Sequence, residues 1–235
     1  ETGAPLAYMS ANLLSSMRTG AMPGLATKLL AREDSKVLTM LGAGPIAKAC
    51  FRAIMTNAKN IDTVKIKAGS LKSKTAEFIE THYKQVKEVI ICETLEEAVR
   101  GSDIISESVS VKPGQYPTYK KEWLKPGVTL IATSFFNMDK KELVGIRKVV
   151  DNWKMYEEYG IEDEEGYDEN GMRKATGCMG EEFYYMVEDG LITRDSIDHL
   201  GEIIRGKKPG RKSDDEIIFV AIEGMPIEDV AWGSE

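Results

Sequence analysis

The segment Gly42-Ala43-Gly44-Pro45-Ile46-Ala47 constrains the fold more than any other feature of this chain. It follows Val37-Leu38-Thr39-Met40-Leu41, a continuous apolar run of the kind a fully buried parallel strand requires. Behind it lies a stretch from Ile46 to Ala58 in which Ala49, Cys50, Ala53 and Ile54 recur at helical spacing. A strand that turns through G-x-G-x-x-A into a helix opens a dinucleotide-binding unit. The first glycine permits the tight turn, and the second lets a pyrophosphate approach the backbone. The small third residue lets the helix pack on the strand. The helix N-terminus then offers unpaired N–H groups and the positive end of its dipole to the phosphates. Gly42, Gly44, Pro45 and Ile46 are accordingly candidate cofactor-binding residues.

The rest of the chain continues the alternation. Strands are expected at 63–67, 88–92, from Asp103, at 128–133 and at 147–151. Helices are expected at 71–84 and after Thr94, whose spacing to Glu97 is that of a capping box. Strands alternating with helices predict an α/β fold with a Rossmann-type doubly wound parallel sheet. Upstream, 5–9 reads as a short edge strand and Ser10 as the cap of a helix through Leu13, Leu14 and Met17. After Gly20 and Pro23 a further helical stretch should bury Leu25, Leu29 and Leu30. The run 217–222 fits a strand or a helix, and periodicity does not decide between them.

The end of the second strand bears on the choice of cofactor. An NAD enzyme usually places an acid there to bond the ribose hydroxyls. Here the chain reads Ile66-Lys67-Ala68-Gly69-Ser70-Leu71-Lys72-Ser73-Lys74, without one. A 2′-phosphate would meet hydroxyls and lysines rather than a repelling carboxylate. NADP is therefore expected, with NAD as the alternative, and Ala68, Gly69, Ser70 and Lys72 join the cofactor candidates. Ser108 after the fourth strand and Ser134 after the fifth lie at the carboxyl edge, where hydroxyls can bond ribose or nicotinamide. Arg18 is a candidate clamp for a substrate carboxylate, against the plainer reading of a surface ion pair. His82 and His199 fall at no expected strand end and read as structural. Phe183, Tyr184, Tyr185 and Met186 read as core.

A net charge of −7 argues against nonspecific nucleic-acid binding and against an anionic membrane surface. No apolar run is long enough to span a bilayer, and the first residues do not form a signal peptide. Cys50, Cys92 and Cys178 make no CxxC pair or zinc pattern and read as buried thiols of a cytoplasmic protein. The acidic run 157–169 lacks the ordered spacing of a calcium loop and reads as solvated surface. No metal is expected.

Three segments together resemble the ornithine cyclodeaminase/mu-crystallin family. They are Met17-Arg18-Thr19-Gly20-Ala21 with 24–32, the glycine turn with Leu41, and Gly201-Glu202-Ile203-Ile204 with 206–216 and Ile227-Glu228-Asp229-Val230-Ala231. Their order and spacing match across almost the whole chain. The resemblance implies a Rossmann domain joined to a substrate and dimerisation domain, and a homodimer. It implies residues 1–20 as a remnant of that second domain, 21–205 as the NAD(P)-binding domain, and 206–235 as a return to the second domain. It implies an NAD(P)-dependent oxidoreductase acting on an amino acid, imino acid or opine-like substrate by hydride transfer at the α-carbon. The alternatives are a cyclodeaminase-type lyase that uses NAD catalytically and a non-catalytic NADP-binding protein. Arg18 matches the family's carboxylate-binding arginine, and Thr19 matches a position close to the cofactor. Two departures stand out. Family residues expected upstream of this segment, a substrate lysine and arginine among them, are absent, so the chain reads as N-terminally incomplete. The loop after the fifth strand sets Phe136 or Asn137 where members with cyclodeaminase or alanine dehydrogenase activity carry a catalytic Asp, with Asp139 out of register. Glu107 also intrudes among the hydroxyls that follow the fourth strand.

Overall fold

The computed structural model describes residues 8, 10–110, 115–162 and 178–234. Helix α1 (Asn12–Leu30) leads into strand β1 (Val37–Leu41), then α2 (Pro45–Asn57), β2 (Thr63–Lys67), α3 (Lys72–His82), β3 (Glu88–Ile91), α4 (Leu95–Val99) and β4 (Ile104–Glu107). There follow β5 (Thr129–Ala132), α5 (Lys140–Val144), β6 (Arg147–Val150), α6 (Trp153–Glu162), α7 (Met179–Glu188), β7 (Ile197–His199), α8 (Leu200–Ile204), β8 (Ile218–Ala221) and α9 (Pro226–Gly233). The described strands form one sheet of order β3-β2-β1-β4-β5-β8-β6-β7, parallel throughout. The chain winds outward from β1 in both directions. The order reverses between β1 and β4, where a doubly wound sheet opens its ligand crevice.

The strands carry this topology because β1, β4, β5 and β8 are buried on both faces. One face holds Tyr119, Phe136, Phe183 and Phe219, and the other holds Leu30, Phe51, Ile54 and Ile203. Phe183, Tyr185 and Met186 are buried and Tyr184 is half-buried, as core residues should be. All three cysteines are buried. The cap at Thr94 forms as its spacing suggests: its hydroxyl accepts the Glu97 N–H at 3.1 Å.

Four expectations need correction. First, α1 is one helix that runs through Pro23, and Ala11 rather than Ser10 stands at its cap. Its buried stripe is Thr19, Gly20, Pro23, Gly24, Ala26, Thr27 and Leu30, while Leu25 and Leu29 are only half-buried. Small residues win because α2 lies so close. A Cβ on Gly20 would stand 2.5 Å from the Ala49 Cβ, and one on Gly24 2.7 Å from the Ala53 Cβ. A domain boundary at residue 20 would therefore fall inside a helix.

Second, 217–222 resolves as β8, a central strand inserted between β5 and β6. That part of the tail completes the sheet instead of leaving it; α9 then packs on α1. The basic turn before β8 is structural. Arg211 donates to the Leu30 carbonyl (2.8 Å) and to the Thr129 hydroxyl (2.8 Å), so it closes the C-terminus of α1. Third, β7 is a short edge strand with no alternating pattern to betray it. It places His199 at a strand end, contrary to expectation, where the ring bonds Arg194. Fourth, β5 stops at Ala132, one residue before Thr133. The expected strand at 5–9, apart from Tyr8, and the acidic run beyond Glu162 lie outside the described residues. No described helix is long and apolar enough to cross a membrane.

Candidate functional site

The glycine turn sits at the switch point. Gly42 has φ +105°, a region that side-chain-bearing residues rarely adopt, and its N–H donates to the Lys67 carbonyl at 2.9 Å. A Cβ there would stand 2.5 Å from the Ser108 carbonyl oxygen, so the turn and the end of β4 close on each other. Gly44 is different. It occupies the N-cap of α2 with φ −76° and ψ −176°, which any residue adopts, and a Cβ on it would meet nothing within 4 Å. Its open side faces the cleft. Pro45 takes the first helical position, where no N–H is needed. The N–H groups of Ile46 and Ala47 then have no acceptor inside the helix. An anion seated over Gly44 would complete them.

The cleft has a volume of about 480 Å3. One wall is Leu41 to Gly44, another is Lys67 to Leu71, and the segment after β4 contributes Ser108, Val109, Ser110, Gln115, Pro117 and Tyr119. Of the residues singled out in the sequence, Gly42, Gly44, Ala68, Gly69, Ser70 and Ser108 line it together. Pro45 and Ile46 follow Gly44 at the helix start, and Ile46 is exposed. Three others stand apart. Thr19 is buried beside Gly20 in the seam between α1 and α2. Lys72 is engaged by Glu93 at 2.8 Å. Ser134 spends its hydroxyl on the Glu107 carboxylate.

Lys67 was not foreseen as a cleft residue. It ends β2 and lines the cleft, and among the described residues no carboxylate forms an ion pair with it. The signal was present in the sequence, since strand 63–67 places its final side chain where the ribose-binding acid would otherwise stand.

Beneath the cleft lies Glu107, fully buried at the end of β4. Burial pushes its carboxyl up to about 7, against the lowering pull of its bonds from the Ser134 hydroxyl and the Val109 N–H. A row of small polar groups runs beside it. The Thr133 hydroxyl donates to the Glu107 carbonyl (3.0 Å), Ser108 lies 2.9 Å from Thr133, and the Cys50 thiol lies 3.7 Å from Ser108. Burial raises that thiol to about 11, so it is no thiolate nucleophile at neutral pH.

Arg18 reaches the same carboxyl edge from α1, against Gly224 just past β8. Its Nε donates to Asp229 at 3.1 Å, and Nη1 stands 3.7 Å from a Glu228 oxygen without a hydrogen bond of its own among the described residues. The arginine is thus held by two acids of α9, with its Nη1 buried. After β5, Phe136 is buried and stacked on Phe219 at 4.8 Å. Asn137 is exposed and uses its backbone to pair with Pro117 and Tyr119. Asp139 is spent as the cap of α5, accepting the Lys141 N–H at 2.8 Å. None of the three offers a buried carboxylate to a substrate.

A model of the ornithine cyclodeaminase/mu-crystallin family matches residues 1–234. The chain belongs to that family. It is 28% identical over 235 residues to N-((2S)-2-amino-2-carboxyethyl)-L-glutamate dehydrogenase of Staphylococcus aureus, covering 98% of this chain and 63% of that protein. It is 32% identical over 236 residues to alanine dehydrogenase of Archaeoglobus fulgidus, covering 98% of this chain and 65% of that one. Among solved structures, Thermococcus litoralis Delta(1)-pyrroline-2-carboxylate reductase in complex with NADH and L-proline superposes with a TM-score of 0.77 at 28% identity. That match covers 99% of this chain and 67% of the reductase. The chain therefore spans a little under two thirds of the curated relatives it matches. Membership accounts for the parallel sheet with its flanking helices.

Proposed function

We propose that this chain holds the dinucleotide site of an NAD(P)-dependent oxidoreductase that exchanges hydride at the α-carbon of an amino acid, imino acid or opine-like substrate. The observation that carries the reading is the cleft over Gly44: open space at a helix N-terminus, at the switch point of a parallel sheet. The matched relatives named dehydrogenases and reductases support the reaction class. A bound nicotinamide would supply the hydride chemistry. The chain's own contributions are a seat for the pyrophosphate at Gly44, Ile46 and Ala47, a ribose wall at Lys67 to Ser70, and the Arg18 guanidinium for a substrate carboxylate. Phe136 and Asn137 bring no acid to the edge of β5, which weighs against deaminating cyclisation and sets the site apart from alanine dehydrogenase relatives as well. A rise in reduced-nicotinamide absorbance with an amino acid supports this reading. Ammonia release without net reduction would support the lyase, and binding without turnover would support a cofactor-binding protein.

The same cleft favours NADP. Lys67 forms no ion pair among the described residues and lines the cleft wall where a 2′-phosphate would lie, whereas Lys72 is already committed to Glu93. Replacing Lys67 by Glu would set a repelling carboxylate there. The Lys67→Glu variant is expected to bind NADP+ about tenfold to a hundredfold more weakly, at about 1.5–3 kcal/mol for a charge-assisted bond, and NAD+ little changed. Titration of each dinucleotide by fluorescence quenching checks this, and equal losses for both would count against it. Arg18→Ala is expected to raise KM for the amino or imino acid by about tenfold or more on the same magnitude, with dinucleotide affinity unaltered. An unchanged KM would reduce Arg18 to a tie between α1 and α9.

A further inference from the structure

We propose that Glu107 is a positioning residue of the dinucleotide cleft, a buried carboxyl that supports its floor and takes up a proton when the anionic cofactor is seated. The proposal rests on the reading of the cleft as a dinucleotide site. It begins with where the side chain stands. Glu107 ends β4, and in the sheet it is registered with Leu41, the residue before the glycine turn, and with Ala132 of β5. One carboxylate oxygen accepts the Val109 N–H at 3.1 Å, and the other accepts the Ser134 hydroxyl. Val109 and Ser108 are cleft wall, and the Ser108 carbonyl is the atom that closes on Gly42. The carboxyl therefore fixes the segment against which the glycine turn is built.

Its charge is not balanced. The groups that face it are Ser134 after β5, the Val109 N–H after β4, the Tyr119 ring from the segment before β5, and the Cys50 thiol from α2. None of these is a cation, and among the described residues no lysine or arginine forms an ion pair with Glu107. The Tyr119 hydroxyl, buried at the cleft wall, has no hydrogen-bond partner among the described residues. Burial holds both Tyr119 and Cys50 neutral well above neutral pH. Glu107 is thus the group on this floor that titrates near neutrality.

A dinucleotide brings a pyrophosphate of two negative charges to the Gly44 turn. In a buried site with few mobile dipoles, like charges disfavour each other's ionised form. The seated cofactor therefore raises the Glu107 pKa further, and by linkage its binding takes up a proton. The sign follows directly. Below about pH 7 the free protein already carries the proton, so binding is tight; above it, binding must first recruit one. If the cofactor raises the pKa by about one unit, affinity falls about fivefold from about pH 6 to about pH 8.

The test uses NADH, whose dihydronicotinamide ring is neutral and whose pyrophosphate does not titrate in this range. NADH is titrated calorimetrically into the protein from about pH 6 to about pH 8, in two buffers of different ionisation heat. The expected result is net proton uptake near neutral pH together with the fivefold fall in affinity. Glu107→Gln should bind NADH at about pH 8 as tightly as the unaltered protein does at about pH 6, with no proton uptake. Ser134→Ala removes one bond to the carboxyl but keeps the acid, and should retain the uptake. Should Glu107→Gln fail to fold, the two-buffer measurement on the unaltered protein still decides. Saturable binding with no proton uptake, or uptake that survives in Glu107→Gln, overturns the role of Glu107. No saturable binding at any pH overturns the dinucleotide reading itself, and this inference with it.

Discussion

Gly44→Val leaves the melting temperature within a few degrees of the unaltered protein and weakens dinucleotide binding about a hundredfold or more. The two halves of that result have separate causes. The backbone at Gly44 is extended and a Cβ there meets nothing within 4 Å, so valine is accommodated by the empty protein. The loss of a glycine N-cap to an apolar residue costs about 1 kcal/mol. The valine methyls, however, fill the space over the N–H groups of Ile46 and Ala47. Each charge-assisted bond so lost is worth about 1.5–3 kcal/mol, and two such bonds exceed a hundredfold in affinity. Gly42→Ala gives the opposite profile. Its φ of +105° and the Ser108 oxygen 2.5 Å from the new Cβ make it a folding defect, about 2–3 kcal/mol of strain. Thermal melts set beside dinucleotide titrations separate the two. Gly44→Val that binds normally would remove the pyrophosphate from this turn.

Arg147→Met is expected to be the most damaging single change away from the cleft. The guanidinium is 7% exposed and ties three segments to β6. It bonds Asp198 of β7 at 2.8 Å, Glu216 before β8 at 3.3 Å, and the carbonyls of Pro209 and Gly210 at 2.8 and 2.6 Å. Methionine fills much of the volume but leaves the equally buried Asp198 with only Lys208, at 3.4 Å, as an ionic partner. Breaking a buried pair from one side costs about 3–5 kcal/mol. For a chain of this size that is a fall of about 10 °C in melting temperature. Arg147→Lys should recover only part of it, because an ammonium cannot span two carboxylates and two carbonyls at once. A fall of only a degree or two in Arg147→Met would show that β7 and β8 are held to β6 by apolar burial alone.

The sequence made the parallel core legible because β1, the glycine turn and α2 obey local rules: a buried apolar run, a G-x-G-x-x-A spacing and a helical repeat. Thr94 and the lysine-rich end of β2 could be read the same way. What escaped depended on partners distant in the chain. Nothing in Ile217-Ile218-Phe219-Val220 says that it enters the sheet between β5 and β6; that slot exists only once β6 has been laid down one position out. Ile197-Asp198-His199 is too short to show a period, and it is a strand because Arg147 and β6 hold it. In α1 the leucines outweighed the glycines as a burial signal. The close approach of α2 reverses this, since only Gly20 and Gly24 admit Ala49 and Ala53. At the cleft, Lys72 and Ser134 fit the chemistry of cofactor binding but are taken by Glu93 and Glu107. Lys67, the last residue of β2, lines the cleft and forms no ion pair among the described residues. A sequence shows which groups a site could use; folding decides which of them are already spoken for.

The central claim is that a nicotinamide dinucleotide seats over Gly44 between β1, β2 and β4. The most direct measurement is an amide chemical-shift titration of the 15N-labelled chain with NADP+. The account predicts saturable shifts concentrated at Gly42, Gly44, Ile46, Ala47, Lys67 to Ser70 and Ser108 to Ser110, lost in Gly44→Val while the remaining resonances keep their positions. Absence of saturable shifts, or shifts centred away from the glycine turn, would contradict it.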